Sequence, residues 1–282
     1  MSQRILNRID GVFAGLKKEK RSAFIAYLTG GFPTLSGMDR AAQDLVRAGV
    51  DILEIGVPFS DPIADGPTIQ FASQKALEGG ATPDKILRWA RGFRRKHHVP
   101  LVLMTYMNPV ARRGFARFAR DARASGVDGL IVPDLIPEEA APLRAALTKQ
   151  GIHLIHLVAP TTPSARRRWI ARQSGGFLYA VSVTGVTGAR KGFSSDLPAF
   201  LKGLRRGSPV PVAVGFGVAT AGDARRLAPL ADGVIVGSAF IQRLRNKESV
   251  AGLARALRAV LSQSSRTSGG RGAAETPDAL NR

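Results

Sequence analysis

Short apolar runs typical of buried strands alternate with amphipathic stretches of helical periodicity along almost the whole chain. The predicted strands are residues 23–29, 50–56, 100–106, 129–134, 152–158, 176–183, 210–216 and 233–236. The helical stretches are residues 39–48, 83–97, 113–124, 138–149, 163–173, 197–204, 221–227 and 249–261. Strands that alternate with helices predict a parallel sheet, because parallel neighbours need a crossover connection.

Eight such units predict a single (β/α)₈ TIM barrel of the α/β class, for which about 250 residues are typical. Its active site is expected at the carboxyl ends of the strands. Apolar residues at helical spacing within residues 5–16 predict an additional N-terminal helix. The Ser-, Gly-, Arg- and Thr-rich residues 263–282 predict a disordered tail behind a barrel domain of residues 1–262. One connection is long: residues 57–75 precede their crossover helix, which predicts a functional loop.

The composition indicates a globular protein without thiol chemistry. Hydrophobic residues make up 44% and charged residues 22% of the chain. There is no cysteine, which excludes disulfides, thiolate metal sites and a cysteine nucleophile. No apolar run approaches the ~20 residues that cross a bilayer, so we expect no membrane association and a cytoplasmic location. The Arg-bearing N-terminus leaves a transit peptide as an alternative, which the early start of the organised region disfavours.

The formal net charge of +20 is of the kind that nucleic-acid-binding proteins carry. The arginines are spread over many predicted helices, however, and three tyrosines and two tryptophans offer little for base stacking. We therefore interpret the charge as solvated helix surface that can steer a phosphorylated substrate, and we expect no nucleic-acid partner.

One residue does not fit the second predicted strand. Side chains alternate between the two faces of a strand, so Glu54 shares a face with Ile52 and Gly56. Leu53 and Ile55, on the other face, suit the apolar layer under the helices, which points Glu54 into the barrel. Burial would raise the pKa of Glu54 and make it a proton-transfer group near neutral pH. A structural ion pair is the alternative, but no predicted strand contains an arginine.

The loop after this strand, residues 57–67, adds two carboxylates, Asp61 and Asp65. Its three prolines stiffen it by fixing φ. A rigid acidic loop beside a buried glutamate predicts a group that positions a ring N–H of the substrate. The simpler interpretation, that these aspartates only form turns, stays open at this point.

Glycine-containing segments follow each of the last three predicted strands. They are residues 184–188 (TGVTG), 215–218 (GFGV) and 236–239 (VGSA). Glycine lets backbone N–H groups approach an anion closely, and a short helix that starts near Ser238 would add its dipole. Each segment alone could end a strand for local reasons, but together at this rim they predict a phosphate site.

Other chemistries on a barrel scaffold are disfavoured. A Schiff-base aldolase needs a lysine on a strand, and no predicted strand contains one. His153 and His156 lie three apart on one predicted strand and so face opposite ways. His97 and His98 end a predicted helix, so no metal site is expected. The remaining interpretation is acid–base chemistry on a small phosphorylated substrate.

Seven motifs, in order along residues 5–262, resemble the tryptophan synthase alpha family. The longest is residues 53–70 (LEIGVPFSDPIADGPTIQ), which is too long for a chance match. The others are residues 106–109 (YMNP), 132–135 (VPDL), 159–161 (APT), 182–188 (SVTGVTG), 215–218 (GFGV) and 236–239 (VGSA).

The resemblance implies retro-aldol cleavage of indole-3-glycerol phosphate to indole and glyceraldehyde 3-phosphate. It implies that Glu54 is the acid–base that protonates indole C3, that Asp65 holds the indole N–H, and that Tyr179 is an active-site tyrosine. The other matching positions are the indole-pocket residues Tyr27, Met104, Tyr106, Ile131 and Phe216; the phosphate ligands Gly188, Gly217, Gly237 and Ser238; the loop residues Thr187 and Asp134; and Pro58, Asp61 and Asn108, which would face a partner.

That partner, by the same resemblance, is a pyridoxal-phosphate-containing β subunit that receives the indole in an αββα heterotetramer. This chain itself is expected to hold no cofactor and no metal. Ile136, where many relatives carry proline, departs from the family pattern, as do the tail and the basicity, while Tyr27 and Met104 occupy variable pocket positions. Two alternatives remain: a free-standing lyase that releases indole without a partner, and a basic barrel that binds nucleic acid and has lost catalysis.

Overall fold

A computed structural model describes residues 6–182, 194–215 and 217–263, in which parallel strands form a nearly closed barrel surrounded by helices. The strands are β1 (Ala23–Thr29), β2 (Ile52–Gly56), β3 (Leu101–Met104), β4 (Gly129–Ile131), β5 (His153–Ile155), β6 (Leu157–Val158), β7 (Leu178–Val181), β8 (Val212–Gly215) and β9 (Gly233–Val236). The helices are α1 (Arg8–Lys18), α2 (Leu35–Arg47), α3 (Pro67–Glu78), α4 (Pro83–Arg94), α5 (Met107–Arg113), α6 (Phe115–Ala124), α7 (Ala141–Thr148), α8 (Ser164–Gln173), α9 (Leu197–Gly207), α10 (Ala221–Leu227), α11 (Ser238–Arg245) and α12 (Ala251–Gln263). The predicted single TIM barrel with an N-terminal helix is confirmed.

The fifth predicted strand, residues 152–158, is divided into two at His156. The order of strands in the sheet is β5-β4-β3-β2-β1-β9-β8-β7-β6, so the two halves stand at its ends. β5 pairs with β4, and β6 pairs with β7. Because β5 and β6 are consecutive parts of residues 152–158, this segment brings the two ends of the sheet together and completes the barrel. The strand is interrupted because the His156 N–H donates to Ser174 Oγ at 3.0 Å instead of to a strand carbonyl.

The strands separate two apolar regions, one inside the barrel and one beneath the helices. Ile52 belongs to the interior cluster, whereas Leu53 and Ile55 belong to the cluster under the helices, as alternation predicts. α1 covers the amino-terminal end of the interior, where the Phe13 and Phe177 ring centroids lie 5.8 Å apart.

Three helix predictions need correction. Residues 67–78, expected to lie mostly in a long loop, form α3, because Pro67 at the first helical position needs no hydrogen-bond acceptor for its nitrogen. α5 was not predicted, since the group that accepts from its first N–H is the distant carboxylate of Asp134. α12, predicted at residues 249–261, spans Ala251–Gln263. Residues 264–282 of the predicted tail lie outside the described residues, and the domain boundary after residue 262 stays a prediction. None of the described helices combines the length and apolar character needed to cross a membrane.

Three aspartates that precede strands join neighbouring elements at the amino-terminal end of the barrel. Each accepts a hydrogen bond from a backbone N–H of the adjacent strand and forms an ion pair with at least one arginine. The sets are Asp51 with the Phe24 N–H, Arg21 and Arg258; Asp128 with the Leu101 N–H, Arg8 and Arg94; and Asp232 with the Val212 N–H and Arg205. These carboxylates hold the strands in register and attach α1, α4, α9 and α12 to the barrel.

We expect Asp128→Asn to lower the free energy of unfolding by about 3 kcal/mol, because breaking a buried ion pair leaves its partner charge uncompensated. The Asp128 side chain is fully buried, and Arg8 and Arg94 lie 2.7 and 3.0 Å from its oxygens. Urea denaturation measures the change. Asp44→Asn is the matched control, because Asp44 pairs with Arg47, an exposed arginine one helical turn away. This substitution should lower the free energy of unfolding by at most about 1 kcal/mol. Equal losses in the two variants would contradict this assignment.

Candidate active site

Glu54 lies in the middle of β2 with its side chain inside the barrel. It is 1% exposed, and neither carboxylate oxygen has a hydrogen-bond partner among the described residues. Burial raises the pKa of Glu54 to about 8, and the nearby charge of Asp65 adds to the rise. The predicted position and the predicted direction of the pKa shift are both present. At neutral pH this carboxyl carries a proton.

Asp65 reaches the same space from the loop between β2 and α3. It is 8% exposed, and its Oδ2 accepts a hydrogen bond of 3.1 Å from the Tyr106 hydroxyl. Burial raises the pKa of Asp65 to about 6, although the bond from Tyr106 acts in the opposite direction. Near pH 7 the site therefore holds a neutral glutamic acid and an ionised aspartate, a pairing suited to combined acid and anion chemistry.

Two buried tyrosines flank these carboxyls. Tyr27 on β1 and Tyr179 on β7 each direct a phenol toward a glycine of the next strand, Gly56 and Gly215. A Cβ atom at either glycine would overlap the facing hydroxyl, so these two positions require glycine when the tyrosines are in this orientation. Burial raises the pKa of both phenols well above 10.0, and the charges of Glu54 and Asp65 contribute to both increases. The phenols are therefore neutral groups that can donate hydrogen bonds.

The cavity at the carboxyl ends of the strands brings together most of the described site residues that the sequence predicts. It is lined by Tyr27, Glu54, Asp65, Gly66, Ile69, Met104, Tyr179, Gly217, Val218, Ile235, Gly237 and Ser238. The predicted pocket residues Tyr106 and Ile131 are buried next to it, without being part of this lining. Three predicted residues, Thr187, Gly188 and Phe216, lie outside the described residues.

Sequence reasoning did not identify Gly66, Ile69, Val218 and Ile235 as lining residues. The sequence alone does not predict Ile69 as a lining residue, because residues 57–75 are expected to form a loop, and Gly66 is the N-cap residue of α3. Ile235 could have been found by alternation, since it is the interior residue of the strand that ends at Val236. For Val218, which follows the GFG segment, we see no signal in the sequence beyond its position.

The glycine-rich rim opens on the same cavity. Gly217 has a φ of +73°, in the left-handed region that favours glycine. Gly237 is the N-cap residue of α11, and the first N–H groups of a helix have no acceptor within it. Gly237 and Ser238 both line the cavity, so α11 begins at its wall. This arrangement is suited to an anion.

The remaining predicted residues lie at the same end of the barrel, on loops or, for Asn108, in the first turn of α5. Asp134 accepts bonds of 2.9 and 3.1 Å from the Met107 N–H and so joins the loops after β3 and β4. Asp61 and Asn108 are exposed, whereas Pro58 is buried.

The histidines on β5 and next to it serve other contacts. His153 Nε2 lies 2.6 Å from Asp10 Oδ2, at the amino-terminal end of the barrel. Burial, with a contribution from the charge of Arg144, lowers the pKa of His156 to about 4. Among the described residues there is no group of three or more His, Cys, Asp or Glu side chains that could hold a metal ion.

Comparisons with known proteins agree on one family. The family model described as "Tryptophan synthase alpha chain" matches residues 13–267. The tryptophan synthase alpha chain of Geobacter sulfurreducens is 47% identical over 237 residues, which cover 84% of this chain and 90% of the relative. That of Deinococcus radiodurans is 44% identical over 254 residues, 90% of this chain and 94% of the relative. The solved structure of Mycobacterium tuberculosis tryptophan synthase has a TM-score of 0.84 and 40% identity, covering 91% of this chain and 98% of that one.

The stability of the fold should depend on the ionisation of Glu54. The folded-state pKa of about 8 exceeds the ordinary value of 4.5, so the folded state binds this proton more tightly than the unfolded chain does. The glutamate therefore makes the fold progressively less stable as pH rises from about 4.5 to about 8.

We expect Glu54→Gln, which cannot ionise, to remove this decline and to exceed the native chain in stability at about pH 8.5 by a few kcal/mol, on the order of 1.4 kcal/mol per unit of pKa shift. Urea unfolding at about pH 5 and about pH 8.5 checks the prediction. Glu139→Gln, at an exposed carboxyl of the same rim, is the control and should follow the native chain at both values. If Glu54→Gln instead follows the native chain at both pH values, folding does not raise the pKa of Glu54.

Proposed function

This chain belongs to the tryptophan synthase alpha chain family, and we propose that it cleaves indole-3-glycerol phosphate to indole and glyceraldehyde 3-phosphate by acid–base catalysis. The observation that carries the proposal is that Glu54 and Asp65 line the same cavity, next to the glycine-rich rim that is suited to an anion. Both carboxylate oxygens of Glu54 are buried and have no hydrogen-bond partner among the described residues. The reaction needs those three features: a proton donor for carbon, an anion for the indole N–H, and an anchor for the phosphate.

The proposed reaction starts with proton transfer from neutral Glu54 to C3 of the indole ring. The ring becomes a cationic indolenine, and the Asp65 carboxylate stabilises it by accepting a hydrogen bond from the ring N–H. The Glu54 carboxylate then takes the proton of the glycerol hydroxyl next to C3. The bond between C3 and that carbon breaks, its electron pair returns to the ring, and indole and the aldehyde are released. Glu54 ends protonated, as it began.

The pKa values of the two carboxyls suit this division of roles. With a pKa of about 8, Glu54 is protonated at neutral pH and able to donate. With a pKa of about 6, Asp65 is ionised in the same range. Their separation means that one pH interval holds both groups in the required states, which is the usual arrangement for a carboxyl pair with distinct roles.

Binding at both ends of the substrate supports the proposed geometry. Tyr27, Met104 and Tyr179 surround the carboxyls with aromatic and apolar surface that fits an indole ring. Gly217, Gly237 and Ser238 present backbone N–H groups and a hydroxyl at the other end, where α11 begins. A phosphate held there is a remote anchor that places C3 against Glu54. We assign further contacts to Ile131, Phe216, Thr187 and Gly188, of which only Ile131 is among the described residues.

We also propose that the chain works with a pyridoxal-phosphate-containing β subunit, in the cytoplasm and in an αββα assembly, and holds no cofactor itself. The segments after β2, β3 and β4 present exposed side chains at one end of the barrel, including Asp61 in a loop and Asn108 in α5. Two of these side chains are apolar, Ile63 at 78% and Ile136 at 51% exposure. Apolar side chains on the rim of the active site favour a partner that covers it over a free-standing lyase.

Indole release from indole-3-glycerol phosphate is the decisive assay for the reaction. We expect Glu54→Gln and Asp65→Asn each to reduce kcat/KM by about 10²–10⁴-fold, because each removes a group that acts in the transition state. Circular dichroism confirms that both variants remain folded, and Glu139→Gln serves as the control with unchanged turnover. Normal turnover in either active-site variant would refute the assignment of that residue.

The pH dependence of the same assay follows from the two pKa values. kcat/KM should rise with the ionisation of Asp65 near pH 6 and fall with the ionisation of Glu54 near pH 8. A profile that increases steadily up to about pH 10 would show that the glutamate does not act as an acid.

The partner surface can be tested by reversing its apolar character. We expect Ile63→Asp to weaken binding of a tryptophan synthase β chain by about tenfold or more, as for an apolar interface contact, in isothermal titration or size-exclusion experiments. Leu6→Asp is the matched control, because Leu6 is 77% exposed beside α1 at the opposite end of the barrel. Equal weakening by both substitutions would contradict a partner site on the active-site rim.

A further inference from the structure

Tyr106 occupies the junction between β3 and the loop that carries Asp65. It is 4% exposed and immediately precedes α5, as the N-cap residue of that helix. Its hydroxyl donates to Asp65 Oδ2 at 3.1 Å and accepts a bond from the Ala64 N–H, also at 3.1 Å. One phenol oxygen therefore contacts the catalytic carboxylate and the backbone that precedes it.

The ring of Tyr106 holds the same loop at a third point. It stacks on Phe59 with ring centroids 5.1 Å apart and an interplanar angle of 24°. The loop residue Val57 is tied to β3 by a bond of 2.7 Å from its N–H to the Met104 carbonyl. The segment from Val57 to Asp65 is thus fastened to β3 and its continuation at its start, along its length and at its end.

Tyr106 is itself held rigidly from the other side. The preceding residue, Thr105, donates its N–H to the Ile131 carbonyl at 3.0 Å. The following residue, Met107, donates its N–H to both oxygens of Asp134. The backbone around Tyr106 is therefore attached to β4 and the loop after it, and burial raises the pKa of its phenol, which keeps the proton on the oxygen.

We propose that Tyr106 is a positioning residue whose hydroxyl orients the Asp65 carboxylate toward the indole N–H. The inference rests on the proposed function and names a role beyond contact with the indole ring. Within the described part of the chain, no other side chain donates to the Asp65 carboxylate. With Oδ2 held by Tyr106, Oδ1 is the oxygen left for the substrate. Without that bond, rotation about χ1 and χ2 would move the acceptor away from the ring nitrogen.

Tyr106→Phe tests the hydroxyl while keeping the ring and its stacking on Phe59. We expect kcat for indole release to fall about ten- to a hundredfold, as for a lost hydrogen bond to a charged group, with a smaller change in KM. The acidic limb of kcat/KM should move to higher pH, since the lost bond favoured the ionised form of Asp65. Phe59→Leu, which removes the stacking and keeps the hydroxyl, is the control and should leave the acidic limb in place.

A double-variant comparison separates positioning from direct contact with the substrate. If Tyr106 acts through Asp65, Tyr106→Phe should add little to the loss already caused by Asp65→Asn. Independent effects that multiply would overturn the proposal and make Tyr106 a simple pocket residue. A shifted acidic limb in Phe59→Leu but not in Tyr106→Phe would overturn it as well.

A measurement without substrate keeps this inference separate from the proposed reaction. The ¹³C carboxyl NMR signal of Asp65, assigned by its loss in Asp65→Asn, should titrate at higher pH in Tyr106→Phe than in the native chain. An unchanged titration would overturn the inference even if indole release is normal. Failure of the native chain to release indole, with the titration shifted as expected, would instead refute the proposed function alone.

Discussion

The structure depends on a difference between the two ends of the barrel in the partners that surround their carboxyl groups. At the amino-terminal end, Asp51 and Asp128 receive arginines and backbone N–H groups, which stabilise their charges and fasten helices to strands. At the carboxyl end, Glu54 has no partner among the described residues. Asp51 immediately precedes β2 and Glu54 lies within it, so two carboxyl groups only three residues apart differ in whether they have charged partners.

Glu54 and Asp65 line the same cavity, yet their protonation states differ near neutral pH. Desolvation acts on both Glu54 and Asp65, but Asp65 gains a hydrogen bond from Tyr106 that favours its charge. The charge of Asp65 in turn opposes ionisation of Glu54. The hydroxyl that helps to keep the aspartate ionised therefore also helps to keep the glutamate protonated, and the states of the two carboxyls depend on each other.

The pattern of apolar and polar residues predicted the features that depend on a single strand or helix. It failed where contacts between distant parts of the chain determine the local structure. Alternation along β2 was sufficient to place Glu54 inside the barrel, with Leu53 and Ile55 under the helices. The division of the fifth strand depends on Ser174, a residue of another segment, and the start of α5 depends on Asp134. The Tyr106–Asp65 bond joins residues 41 apart, which no periodicity reveals.

The burial of Glu54 also limits the stability of the fold at high pH. An uncompensated carboxylate in an apolar interior is unfavourable, so the folded state prefers the protonated acid, which is the form that the proposed reaction uses. Raising the pH removes the proton that the proposed reaction uses and places a charge in the core at the same residue. If the proposed reaction holds, both the activity and the stability of the barrel decrease at alkaline pH through loss of the same proton from Glu54. The ion pairs at the amino-terminal end of the barrel stabilise the fold independently of the ionisation of Glu54.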